Sequence, residues 1–350
     1  MARSDRSIRA GFALPAVLAV TGVVTLIFLV AITALASLNA ETAAARSRVR
    51  FMQNALTVEA TAAYLATTEP LDPRSIRPGR LRSLDSQDRD AAAVATDSSP
   101  EVRLDGRPYA IDVGAPMTIR VQDEAGLLNL ARLDVDGFTR FIARLGGNAQ
   151  TGRELFSRYR DYTDSDDLRQ PNGAEASEYG TAFIPNRPLR RPGEWLSILG
   201  VRNAIDAGRW RALRPTVVSE PTAATVNINT LTSEALQVTF DMTERQAEAA
   251  IRVRESTPLL GLAELSAASG APVVGDGDII YTFPSGRLVY VIRDATSAWV
   301  YRSRISLTPA DIERPFWVDQ TELFEAAGRT TSDTIDAPEL PYSARRQTPR

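Results

Sequence analysis

No charged side chain occurs between Arg9 and Glu41. About 20 apolar residues carry a helix across a bilayer, and the stretch from Phe12 to Leu38 is longer than that. It also outruns the apolar region of a secretory signal, typically about 7–15 residues. Pro15 falls in the first turn of a helix starting near Phe12, where its missing N–H costs nothing. Thr21, Thr25 and Thr33 are tolerable in lipid, because a hydroxyl can bond the carbonyl one turn back. Arg3, Arg6 and Arg9 favour a cytoplasmic N-terminus, yet Arg46, Arg48 and Arg50 follow the span closely, so the charge balance is nearly even. Physics alone admits an ordinary single-pass anchor.

The remainder of the 350 residues has ample apolar material for two or three domains. Cysteine, histidine and lysine are all absent, so the 40 basic side chains are arginine. That removes disulfides, thiol nucleophiles, histidine-based triads and most zinc sites. Schiff-base chemistry and a phosphate-binding loop lysine go with them. A net charge of −3, spread along the chain, leaves no electrostatic footprint for nucleic acid. The chain does not read as an enzyme.

Beyond Glu41 the helical pattern continues, with Val49, Met52, Leu56 and Ala60 at helical spacing and no proline before Pro70. This predicts one helix over 12–66, its first part (12–38) in lipid and its second on a globular domain. The proline-, serine- and charge-rich run that follows reads as a loop. "RPYAIDVG" and "MTIRVQDEAG" alternate as an antiparallel pair, and "GRLVYVIRD" with "WVYRSRISL" forms another far downstream. Between them, from Leu127 to about Tyr281, the pattern is mostly helical, with helix starts and stops at Asp134, Gly146, Pro192, Gly200 and the Thr243–Gln246 capping box. The expected fold is α+β: a long N-terminal helix on an antiparallel sheet, with an all-α domain inserted into the sheet. After about Ala327 the polar, proline-bearing tail reads as disordered.

Three segments are candidates for function. "DYTDSDDLRQPNGAEASEY" concentrates Asp161, Asp164, Asp166, Asp167, Glu175 and Glu178, with Asn172 and Gly173 suited to a turn. Calcium takes six to eight such oxygens; a solvated loop with capping aspartates has the same composition. The spacing is not that of an EF-hand, and acids crowded in one loop lack the separation glycoside hydrolysis needs. "VQDEAGLLNL", with Asp123, Glu124, Gly126 and Asn129, sits where the sheet hands over to the insertion, and its polar groups suit backbone satisfaction better than chemistry. The doublet Arg190–Arg191 suits a partner's carboxylates or plain solvent.

Two resemblances sharpen this reading. "RAGFALPAVLAV" resembles the type IV prepilin leader, in which a peptidase cuts after the glycine and methylates the new N-terminus; the matching positions are Gly11 and Phe12. Most pilins have glutamate at the fifth mature position, where it neutralises the amine of the subunit ahead; here that position is Ala16. A subunit with none ahead has no such need. The second half of the insertion is similar to helix-hairpin-helix modules that grip DNA phosphates, but its turn "FDMTERQ" has no glycine, so nucleic acid is not expected as a partner.

Together with "DEAGLLNL", "NGAEASEY", "EWLSILG" and "VNINT", the leader resembles the K-type minor pseudopilins of type II secretion (general secretion pathway protein K). The resemblance implies a leader at 1–11, a pilin-like α/β core at 67–126 and 285–326, an inserted α-domain at 127–284 and a tail at 327–350. It implies a single pass through the bacterial inner membrane, N-terminus cytoplasmic and C-terminal domain periplasmic. It implies as partners the I- and J-type minor pseudopilins, the major pseudopilin, the prepilin peptidase and the inner-membrane platform. It also implies Ca2+ in the α-domain, with Asp164, Asp166, Asp167 and Glu175 as the ligands chosen here. Co-expression with a prepilin peptidase should yield a mature chain that begins at Phe12, read by N-terminal sequencing. Gly11→Leu should block cleavage while leaving membrane insertion intact.

Overall fold

The computed structural model describes residues 13–78, 100–180, 184–223, 225–275, 277–295, 297–326 and 337–341. Gly11 and Phe12 lie outside them. The described residues fall into two units, divided after Gln53. The first is helical throughout, within α1, Ala13–Thr68. Its apolar side chains, Leu14 to Leu38, are all exposed. The hydroxyls of Thr21, Thr25 and Thr33 donate to the carbonyls of Val17, Thr21 and Leu29 at 2.8, 2.8 and 3.0 Å, so none of the three is left unpaired. One helix among the described residues is long and apolar enough to cross a membrane.

The second unit is built on a five-stranded antiparallel sheet of order β11-β10-β9-β4-β3. Its strands are β3 (Asp105–Asp112), β4 (Pro116–Asp123), β9 (Arg287–Asp294), β10 (Trp299–Leu307) and β11 (Phe316–Glu325). A two-residue pair, β1 (Ser75–Ile76) with β2 (Val102–Arg103), precedes it. In register across the sheet, Tyr109, Ile119, Ile292 and Tyr301 share one face. There the Tyr301 hydroxyl donates to Glu59 on the last part of α1 at 2.8 Å. Ala55, Val58, Glu59, Ala62, Ala63, Leu65 and Ala66 make the buried stripe of that helix end. Leu56 and Ala60, which the pattern assigned to the core, are exposed. Alanines let helix and sheet approach closely, and the Glu59–Tyr301 bond sets the rotation; hydrophobicity alone ranks Leu56 higher.

The opposite face carries Val289, Val291, Val300 and Phe324, packed with Leu127 and Val218 of the insertion. Around this small apolar patch runs an ion-pair network. Glu322 meets Arg214 at 2.7 Å, Arg304 meets Glu124 at 3.1 Å and Glu220 at 3.0 Å, and the fully buried Arg302 donates to the Val217 carbonyl at 2.9 Å.

The insertion leaves from Asp123 and returns before Leu288, which are register partners on neighbouring central strands. Its helices are α2 (Val135–Arg144), α3 (Ala149–Thr163), α4 (Val201–Ala204), α5 (Ala207–Leu213), α6 (Ser233–Thr239), α7 (Glu244–Ser256) and α8 (Leu262–Ser269). They surround one core in which the Trp195 ring meets those of Phe141 and Trp210 at steep angles, each 5.1 Å away between ring centres.

Three expectations need correction. The insertion is not all-α, for two parallel pairs, β5 (Leu128–Asn129) with β6 (Val217–Val218) and β7 (Val226–Asn227) with β8 (Ile280–Tyr281), lie within it. Two-residue strands are too short to show a period. β11 shows no strand period in its first half, because Trp317, Val318 and Asp319 are exposed in succession and Gln320 is half-buried. The tail is not disordered throughout, since Ala337–Pro341 lies along β3, with Leu340 buried.

One carboxylate closes the insertion. Asp123 is fully buried. One oxygen accepts from the backbone N–H of Ala125 (3.3 Å), the N–H of Ser285 (3.0 Å) and the Ser285 hydroxyl (2.7 Å). The other accepts from Asn227 Nδ2 (2.9 Å) and the Thr230 hydroxyl (3.1 Å). Beside it, Gly126 lies so close to Thr230 that an added Cβ would sit 2.2 Å from the Thr230 carbonyl oxygen. Asp123→Ala strands these buried donors and should cost about 3 kcal/mol or more. Gly126→Ala should be similarly damaging, since backbone must give way. Urea unfolding of the full chain in detergent micelles checks both.

Candidate functional site

α3 starts on Asn148, whose side chain accepts from Thr151 N–H, and ends at Asp164. In its last turn Asp161 is fully buried and accepts the Gln170 N–H at 3.2 Å on both oxygens. The acidic loop therefore winds around Asp161. Asn172 takes the left-handed conformation (φ 63°), and Gly173 follows because a Cβ there would fall 1.9 Å from Asp161 Oδ2. Glu175 then opens a single helical turn, Ala176–Tyr179, its N–H donating to Glu178 at 2.9 Å.

Inside this loop several oxygens have no hydrogen-bond partner although they are buried: both of Glu175, Oδ1 of Asp164 and Oδ1 of Asn186. Burial pushes the Glu175 carboxyl up to about 7, helped by the charges of Asp161, Asp164, Asp167 and Asp166. Asp164 is raised too, by burial and then by Asp166 and Asp161. The nearby Arg169 is committed to Glu178 at 3.0 Å. The interior of the loop is thus a set of mutually repelling oxygens.

Of the four ligands chosen from sequence, Asp164 and Glu175 point unpaired oxygens into the loop, whereas Asp166 and Asp167 lie on its exposed rim. Asp166 accepts from the Leu168 N–H at 2.8 Å and Asp167 from Asn186 Nδ2 at 2.9 Å. Sequence reasoning missed Asn186. Its φ of 42° is a conformation asparagine tolerates, and its distance along the chain hid its place beside the loop. Among the described residues no three acidic side chains close on one point, so the loop is an open oxygen set rather than a finished cage.

The other candidates serve structure. Asn129 clamps both the N–H and the carbonyl of Glu220, at 3.0 and 2.8 Å, and Asn229 does the same to Leu259, at 2.7 and 2.9 Å. Arg190 and Arg191 are exposed, and the Arg190 N–H donates to Glu194 at 2.8 Å. In the turn between α6 and α7, Asp241 holds a left-handed φ of 54°. A carboxylate at that corner opposes a phosphate grip.

Residues 125–222 match a family model described as type II secretion system (T2SS), protein K. The chain is 29% identical over 157 residues to the type II secretion system protein K of Pseudomonas aeruginosa, covering 42% of this chain and 47% of that relative. It is 31% identical over 134 residues to the protein K of Pectobacterium carotovorum, covering 37% and 40%. The chain thus matches less than half the length of each of these curated relatives. In fold it resembles a chain of the GspK–GspI–GspJ complex from the type 2 secretion system of enterotoxigenic Escherichia coli, with a TM-score of 0.52, 19% identity, and coverage of 80% of this chain and 99% of that one. The class is therefore α+β, a long apolar N-terminal helix joined to an antiparallel sheet that carries a helical insertion. Within that class, the resemblance is to protein K of the type II secretion system, and it spans the insertion's first half.

Proposed function

We propose that this chain is a K-type minor pseudopilin that caps the tip of a type II secretion pseudopilus. In this reading it is a structural component rather than an enzyme, anchored once in the bacterial inner membrane with its second unit in the periplasm. It starts fibre assembly and supports export of folded proteins, together with the I- and J-type subunits, above the major pseudopilin. The observation that carries the reading is α1 itself: its first turn contains no acidic residue, and Ala16 stands where a following subunit would need a carboxylate. The insertion adds a second argument. A domain that springs from the central strands β4 and β9 is bulk that a tightly packed shaft cannot repeat, but an end can carry it. Co-purification from detergent should recover this chain in equimolar complex with the I- and J-type subunits. Immunogold labelling should mark one end of each fibre; label along the shaft would defeat the reading.

The acidic loop fits Ca2+, a hard cation that takes carboxylate, amide and carbonyl oxygens. Asp164, Glu175 and Asn186 would hold it from inside, with Asp166 and Asp167 at the rim; bound, it would neutralise the repulsion and pin the loop to α3. Without metal, the raised pKa of Glu175 means that the loop's stability is greatest when this group is protonated. That contribution is lost as pH rises from its ordinary 4.5 through about 7. Calcium reverses the sense, because it must displace the proton. Affinity should therefore fall roughly tenfold between pH 8 and pH 6. Calorimetric titration of the full chain should record this drop, and Glu175→Gln should bind more weakly with no such pH dependence.

A further inference from the structure

The edges of the sheet differ in how they are finished. β11 is a ten-residue edge strand with no partner on its outer side among the described residues, and a register shift falls between Arg304 and Ile305 in the facing β10. β3, at the other edge, has its outward backbone engaged by the chain's own C-terminal region. The Ala110 N–H donates to the Pro338 carbonyl at 2.8 Å, and the Leu340 N–H donates to the Ala110 carbonyl at 2.8 Å. This is a parallel bridge of Ala110 with Glu339. Leu340 is buried beside it, whereas Pro338 and Glu339 are exposed. Strand residues alternate, so Pro108 and Asp112 turn their backbone the same way as Ala110. Pro108 has no N–H to offer, whereas Ala110 presents both a donor and an acceptor, and the strap engages both.

We propose that the outer edge of β3 is a strand-addition site, which Ala337–Pro341 occupies in cis in the free subunit and which an extended segment of another protein takes over in a complex. The chemistry of the occupant is readable from the strap. It runs parallel to β3, presents an aliphatic side chain where Leu340 sits, and supplies one N–H and one carbonyl two residues apart. Backbone bonds give such pairing its affinity, and alternate side chains give it selectivity. The cis strap is minimal. Pro338 on the strap and Pro108 on β3 both lack an N–H, so pairing cannot spread past them toward the start of β3. It is joined to β11 through residues 327–336, so release leaves it tethered. A cavity of about 870 Å3 opens alongside, its wall including Ala337, Pro338, Arg107, Ile251 and Arg254. An incoming segment without a proline at the Pro338 position has both more edge and this recess to use. An edge left bare invites aggregation, and a releasable strap answers that hazard. The proposal is independent of which fibre the subunit serves.

The test uses the full chain in detergent micelles and a fluorescein-labelled peptide of residues 336–343. Leu340→Asp, and separately a chain ending at Ala326, should each bind the peptide at least tenfold tighter than the unaltered chain. A peptide carrying Asp in place of Leu should not bind. Hydrogen exchange at Ala110 should quicken at least tenfold in the Leu340→Asp chain and slow again with peptide. Exchange in β9 and β10 should stay unchanged, which shows that the variant is folded. Equal peptide binding by all three chains, binding by none, or unaltered exchange at Ala110 overturns the proposal.

Discussion

A buried carboxylate costs several kcal/mol in lost hydration unless donors replace the water. At Asp123 the replacements come from three places in the chain: the start of the insertion at Ala125, its second half at Asn227 and Thr230, and its return at Ser285. Burial still raises its pKa, with the four hydrogen-bond contributions from Ser285, Asn227 and Thr230 pulling against it. That balance holds a helical domain between two adjacent central strands without splitting them. Asp123 and Leu288 remain register partners, so the sheet closes as if nothing had been inserted. Gly126 completes the junction, because only a residue without Cβ lets the outgoing chain touch the Thr230 carbonyl.

From that junction the two faces of the sheet take different work. One face meets the end of α1 through tyrosines, aliphatics and the Tyr301 hydrogen bond to Glu59. The other meets the insertion through a small apolar patch ringed by arginine–carboxylate pairs. Such pairs contribute orientation more than stability when their partners are this well matched. Arginine suits the role because its planar fork can serve a carbonyl and a carboxylate together. Arg302 does so with Val217 and, more distantly, Glu322 at 3.8 Å. The absence of lysine is thus consistent with how the interface is built.

The acidic loop works by an opposite principle. Asp123 is surrounded by donors, whereas Glu175 and Asp164 are buried among other acids with oxygens unpaired. The composition of the loop was plain in the sequence, as were Asn172 and Gly173 as its turn. Which oxygens face inward was not, because Asp166 and Asp167 look equivalent to Asp164 until the end of α3 and the position of Asn186 are known. The same limit explains α1. Its length and apolar first half follow from composition, but its buried stripe runs through alanines, Val58 and Leu65 rather than through Leu56. The DEAGLLNL and VNINT segments lie far apart in the chain, and nothing local indicates that Asp123 belongs with Asn227 and Thr230.

By itself the sequence determined the long apolar helix, the antiparallel pairs around a helical insertion, the helix caps and the exclusion of most side-chain catalysis. Each of these depends on periods, caps or residue types that act within a few positions of one another. Only the tertiary structure decided that Asp123 staples exit to return, that Asn186 joins the acidic loop, that β11 extends the sheet and that Leu340 comes back to β3. Those outcomes depend on which buried polar groups find partners far along the chain, and a linear pattern carries no record of that distance.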